Sequence, residues 1–152
     1  MDIKRYKPLI DKLFWIISIP TAFLCVGATV ISMSAIFAFV LMIFVDLLTL
    51  YFIVSPLFGY VELRKGCLFI KFGFFLKKEI EYKKIRGMEI VKKYYSDSLI
   101  SLKNSYEHVN IMYNRFEIVS ISVKDNKKLT EELETLIKSE NKNEEGSLNG
   151  RI

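Results

Sequence analysis

Between positions 13 and 61 the chain carries a single charged residue, Asp46, and nothing constrains its folding more. A bilayer core about 30 Å thick takes roughly 20 helical residues, so a run this long exceeds what one helix can use. It weakens near Gly27, Ala28, Thr29, Ser32 and Ser34, which divides it into two candidate spans, about 13–33 and 36–57, joined by a tight turn. Lys4, Arg5, Lys7 and Lys12 precede the run, and Arg64, Lys65, Lys71, Lys77 and Lys78 follow it. Under the positive-inside rule this predicts a transmembrane hairpin over 13–60 with both termini cytoplasmic. Trp15, Tyr51, Phe58 and Tyr60 stand where interfacial aromatics belong. Two other readings stay open: a cleaved signal peptide ending at Ser32-Met33-Ser34-Ala35, and one tilted span followed by an interfacial segment. Pro20 would kink the first helix without forbidding it.

Asp46 lies near the middle of the second span, where an ionised carboxylate costs several kcal/mol unless paired or hydrated. That makes it a candidate intramembrane polar site. The competing reading is a hydrogen bond to Ser18, Thr21, Ser32 or Thr49.

The inventory for chemistry is short. Two cysteines, Cys25 and Cys67, form no disulfide framework and no metal spacing, and with His108 as the single histidine no zinc or nucleophile constellation can be assembled. We therefore expect no enzyme, no metal and no cofactor, and read His108 as an exposed strand residue. A net charge of +5 beside 51% hydrophobic residues fits a membrane protein with a basic aqueous face better than a nucleic-acid binder.

Past Tyr60 the hydrophobic period changes to two, the mark of half-buried strands. Seven strands are expected, over 60–63, 67–72, 77–82, 85–91, 99–102, 108–113 and 116–123. A helix follows, with Asp125 or Asn126 as N-cap and Leu129, Leu133, Leu136 and Ile137 as its apolar stripe. The expected layout is a basic N-terminus over 1–12, the hairpin over 13–60, a strand-rich domain over 61–138 and a disordered tail over 139–152.

Lys77, Lys78, Lys83, Lys84, Arg86, Lys92 and Lys93 gather around the turns of this domain and form a candidate face for anionic lipid or a partner. Phe74-Phe75, followed by Lys77-Lys78, is a candidate membrane-inserting tip; the competing reading is a buried phenylalanine pair amid solvated lysines. Tyr94-Tyr95-Ser96-Asp97-Ser98 reads as a polar-aromatic loop open to a partner or resting on the core.

Seven strands closed by one amphipathic helix is the order of the pleckstrin-homology superfold. Ile10-Asp11-Lys12, Ile80-Glu81-Tyr82-Lys83-Lys84-Ile85, Ser96-Asp97-Ser98-Leu99-Ile100-Ser101-Leu102 and Val109-Asn110-Ile111-Met112-Tyr113 resemble the bacterial membrane-anchored PH-like family. Within it, the basic start, apolar hairpin and Lys-rich domain resemble the sublancin immunity group of bacteriocin immunity proteins in Bacillus. Relatives often carry an Arg after the Ser-Leu-Ser strand and Ile-Ser-Pro before the last helix, where this chain has Lys103-Asn104 and Ile121-Ser122-Val123. The resemblance implies an α+β membrane protein whose PH-like bent sheet is capped by the C-terminal helix. It also implies protection of a producing cell, with a secreted antimicrobial peptide or its membrane target as partner beside membrane lipids. Two alternatives remain: a membrane-tethered adaptor unrelated to immunity, and a small transporter subunit using Asp46 as an ion-responsive group.

Overall fold

The structure, a computed structural model, describes residues 3–98 and 101–149. Its first strand, β1 (Lys4–Tyr6), precedes the apolar helices in the chain yet pairs antiparallel with β2 (Tyr60–Arg64), Lys4 opposite Leu63 and Tyr6 opposite Val61. Of the three β1 side chains only Tyr6 is buried, so no alternation marks this strand in the sequence. Lys4–Tyr6 is thus a strand within the segment expected as the basic N-terminus. Immediately after β1 the same backbone bonds to the second half of the domain. Leu9 N–H donates to Ser122 O (2.9 Å), Lys124 N–H to Lys7 O (3.3 Å) and Asp11 N–H to Asn104 O (2.9 Å).

Asp11 then caps α1 (Lys12–Ile31), its carboxylate accepting from Lys12 N–H at 2.7 Å. A 3-10 turn, Ser32–Ser34, reverses the chain into α2 (Ile36–Val54). Both helices are long and apolar enough to cross a membrane, and residues such as Phe23, Leu24, Phe37 and Phe44 stand exposed along them. Where they face each other the α1 side chains are small, with Ser18 and Thr29 buried and Ala22 and Cys25 half-buried, which lets the two backbones approach. Cys25 Sγ lies 3.7 Å from Thr49 Oγ1 and Thr29 contacts Asp46, so the pair is antiparallel.

After the 3-10 turn Ser55–Phe58 the chain enters the domain. β1, β2, β3 (Cys67–Lys71) and β4 (Lys77–Glu81) form one antiparallel sheet in that order. β5 (Ile85–Lys92), β6 (Glu107–Tyr113) and β7 (Glu117–Ile121) form the other. The tight β2–β3 and β6–β7 turns put Gly66 (φ 77°) and Asn114 (φ 51°) in the left-handed region, which these two residue types tolerate best. Val61, Leu63, Leu68 and Ile70 of the first sheet meet Val109, Ile111, Val119 and Ile121 of the second. Leu129 and Leu133 of α3 (Asn126–Asn149) close the core.

Three expectations change. The strand expected over 99–102 does not form at its described end: Ser101 is outside any strand and Leu102 makes an isolated bridge to Ile121, while Leu99 and Ile100 lie outside the described residues. Among the described residues β1 makes the seventh strand. The tail expected to be disordered from 139 is helical through Asn149, with 150–152 outside the described residues. Asp125 starts α3, accepting from Lys128 N–H at 3.1 Å, and once a packed helix exists each further residue adds one backbone hydrogen bond without the cost of a new nucleus and without needing an apolar face.

Tyr6 is the β1 residue that reaches the core, and its hydroxyl donates to Glu132 Oε2 of α3 at 2.5 Å. Burial acts to raise the Glu132 pKa, but hydrogen bonds from Lys4 and Tyr6 outweigh it and hold the carboxyl below the usual range. Tyr6→Phe is expected to lower unfolding free energy by about 1–2 kcal/mol through the lost bond to a charged acceptor. Tyr6→Ala should lower it by about 3–5 kcal/mol through the added cavity. Chemical unfolding of the full chain in detergent measures both, and a wild-type curve for Tyr6→Ala would show that β1 does not hold the domain together.

Candidate functional site

The junction between the helical hairpin and the sheets is tightly packed. At Gly59, where the chain enters β2, an added Cβ would lie 2.4 Å from a Leu102 methyl and 3.0 Å from Lys71 O. In the β3–β4 turn, Gly73 (φ 147°) lies so close to the end of α2 that a Cβ there would fall 1.8 Å from Ser55 Oγ. Only glycine satisfies both the backbone angle and that approach. The sequence marks Gly73 as a turn residue but does not reveal that Ser55, eighteen positions earlier, is what the turn rests on.

This docking brings Phe74 and Phe75 beside the aromatic residues at the end of α2. The Phe74 ring is 4.6 Å from Phe58 and 6.1 Å from Tyr51, and Phe75 stacks on Tyr51 at 6.1 Å. Phe75 is 81% exposed and Phe74 40%, so neither belongs to the core. The two therefore form, with Tyr51 and Phe58, one aromatic cluster at the base of the hairpin.

The seven basic residues differ in their surroundings. Lys77, exposed, follows the Phe74-Phe75 turn. Lys78 turns away to the Tyr113 hydroxyl and to Glu117 at 3.1 Å. Tyr113, Asn114 and Lys78 together hold the Glu117 carboxyl down at about 2. Lys83 and Lys84 occupy a 3-10 turn, Tyr82–Lys84, with Lys84 paired to Glu81 at 2.7 Å. Arg86 donates to Arg115 O at 3.2 Å beside the β6–β7 turn. Lys92 pairs with Glu107 at 3.4 Å, and Lys93 with Asp97 at 3.5 Å while also lying over the Tyr95 ring. Of these residues Lys84 and Lys93 thus pair with nearby carboxylates, Glu81 and Asp97, and Lys78 and Lys92 with distant ones, Glu117 and Glu107.

Asp46 faces α1. Its Oδ2 accepts from Thr29 Oγ1 at 2.7 Å, a partner absent from the four expected, and Oδ1 is buried with no hydrogen-bond partner among the described residues. Thr29 Oγ1 also lies 3.1 Å from Cys25 O, so its one proton serves either acceptor in turn.

His108 is fully buried, not exposed as its place in a strand suggested. Val109 and Ile111 point into the core, so His108 and Asn110 point outward, where Asp97 and Tyr106 of the covering loop between β5 and β6 meet them. Asn110 accepts from Ser120 Oγ at 2.7 Å and donates to Asp97 at 2.8 Å, tying loop to sheet. His108 Nδ1 lies 3.3 Å from Tyr106 O, and its Nε2 and Ser122 Oγ are buried with no partner among the described residues. Burial pulls the His108 pKa below 6.5, only partly opposed by the Tyr106 carbonyl and Asp97, while Lys103 and Lys93 add to the lowering. The unfolded chain therefore binds more protons near this pH than the folded one. Stability is complete above about 6.5 and falls as pH drops from there toward the folded pKa. Thermal unfolding of the full chain between pH 7.5 and 5 is expected to show this decline, and His108→Gln to flatten it; an unchanged slope in that variant would clear His108.

Comparison with known proteins adds one finding. The sequence profile of one family, described as a bacterial PH domain, matches residues 59–136, just over half of the chain. No curated protein and no solved structure matches it.

Proposed function

The chain belongs to the bacterial PH domain family, and from this premise we propose that it is a membrane-tethered interaction module rather than an enzyme. In this reading α1 and α2 cross the bilayer, both termini and the PH domain lie in the cytoplasm, and the Phe74-Phe75 turn dips into the interface with Lys77 behind it. The observation that carries the reading is the register of β1 with β2. Paired strands lie about 4.8 Å apart, whereas a bilayer core is about 30 Å thick, so strands on either side of an inserted segment pair only after an even number of crossings. The basic residues flanking both helices favour the cytoplasm as the shared side.

Single cysteines in a Cys25→Ala, Cys67→Ser background test the arrangement. Met33→Cys, in the turn between the helices, is expected to react with a membrane-impermeant maleimide on intact cells, and Ser139→Cys only after permeabilisation. The reverse pattern would overturn the orientation, and labelling of both on intact cells would overturn the hairpin.

The finer reading is bacteriocin immunity, in which the hairpin masks a membrane component and the PH domain positions it. Its support is the layout of basic start, apolar hairpin and Lys-rich domain. A sensitive bacterium expressing the chain is then expected to survive a glycosylated or lantibiotic-type bacteriocin that kills cells with an empty vector. Uniform sensitivity, with the protein present in the membrane, would leave the general adaptor role.

A further inference from the structure

On the α1 side of the hairpin base lies a cleft of about 140 Å³. One wall is the start of α1, with Leu13, Phe14 and Ile17, and the other is the covering loop, with Tyr94, Lys103 and Tyr106. The two walls differ in chemistry. The helix side is hydrocarbon. The loop side is lined by polar residues, Tyr94, Lys103 and Tyr106 with Asn104, and the Asn104 Nδ2 is buried beneath with no hydrogen-bond partner among the described residues.

Lys103 is the unusual member. Lys78, Lys84, Lys92 and Lys93 each have a carboxylate within ion-pair distance, whereas Lys103, partly buried, donates to the backbone carbonyl of Tyr94 and forms no ion pair among the described residues. Burial lowers its pKa, with only a partial offset from Asp97. A cation removed from water without a counter-charge is costly, and an anion supplied from outside would relieve that cost.

We propose that this cleft seats the phosphate-bearing headgroup of one anionic phospholipid of the leaflet in which the hairpin is anchored. The assignment rests on the membrane-tethered reading above and adds a site to it. Position argues for a lipid: Leu13 to Ile17 is the first turn of a helix that enters the bilayer there, a rise of about 6 Å. Order argues for it too. Apolar residues face the glycerol and chain ends, and the Lys103 amine with the phenols of Tyr94 and Tyr106 faces the phosphate. The volume suits a headgroup, while the acyl chains run on along the exposed faces of Ile16 and Ile17.

The test is native mass spectrometry of the full chain in detergent, titrated separately with dioleoylphosphatidylglycerol and dioleoylphosphatidylcholine. The wild type is expected to hold one phosphatidylglycerol at several-fold lower concentration than phosphatidylcholine. Lys103→Gln, which keeps a donor for the Tyr94 carbonyl, should weaken the phosphatidylglycerol complex about fivefold, the factor expected of one lysine at a membrane surface, and leave phosphatidylcholine binding unchanged. Lys127→Gln, exposed on α3 and not part of the cleft, should change neither. Equal binding of the two lipids by the wild type, or identical titrations for wild type and Lys103→Gln, would overturn the site. Displacement of the lipid by millimolar glycerol 3-phosphate would reassign it to a soluble phosphate. Cysteine labelling reads the hairpin topology independently, so failure of the lipid site and failure of the tethered reading are told apart.

Discussion

Three residue pairs between β1 and β2 close a segment of more than fifty residues, and the rest of the structure depends on that closure. Arg5 stands directly opposite Glu62, and their side chains meet at 2.6 Å. Arg64 approaches Glu62 from the other side at 2.8 Å and reaches Glu79 on β4 at 3.3 Å, so one charged ladder crosses β1, β2, β3 and β4. Glu62 is nearly buried; burial acts to raise its pKa, but hydrogen bonds from Arg64 and Arg5 prevail and hold it down. The pairing makes the helical hairpin an insertion between two adjacent strands of one sheet. It also bears on the two competing readings of the apolar run. Cleavage after Ala35 would remove β1, and a single crossing would put β1 and β2 on opposite sides of the membrane.

Because residues 7–11 go on to bond the second half of the domain, the N-terminal segment touches both sheets and the covering loop before it enters α1. At the other end of the hairpin, Gly73 lets the β3–β4 turn rest on Ser55 at the end of α2, and Gly59 packs against the Leu102 side chain and Lys71 O. Both hairpin ends are therefore fixed to the domain, by backbone hydrogen bonds at the α1 end and by close packing at the α2 end. Such an attachment holds the Phe74-Phe75 turn on the α2 side and Tyr94 and Tyr106 on the α1 side, and this relation sets the membrane-facing rim in the proposed reading.

Several features were legible in the sequence because they repeat. The hairpin showed itself as a long uncharged run, six strands as alternation, and α3 as an apolar stripe behind an Asp cap. Features carried by one residue or one contact were not legible. β1 buries a single side chain. The Thr29–Asp46 bond depends on which face of α2 turns toward α1. His108 looked like an outward strand residue and does point away from the core, but it is fully buried beside Tyr106 of the covering loop. The profile match begins at Gly59, and β1, on the far side of the hairpin, lies outside it.

The lysines show the division most sharply. Their number and nearness to turns can be read from the chain, but a charge acts through what lies within a few ångströms of it, and for Lys78 and Lys92 those neighbours come from other strands. Folding gave Lys78 the partner Glu117 and Lys92 the partner Glu107, while it left Lys103 partly buried without a carboxylate. The sequence by itself determined the apolar hairpin, the strand-rich domain behind it and the closing helix, since each follows from a local hydrophobic period and the cost of leaving apolar residues in water. Only the tertiary structure decided which strand completes the first sheet, which cations are neutralised and where the covering loop meets α1, since those depend on pairings between residues tens of positions apart.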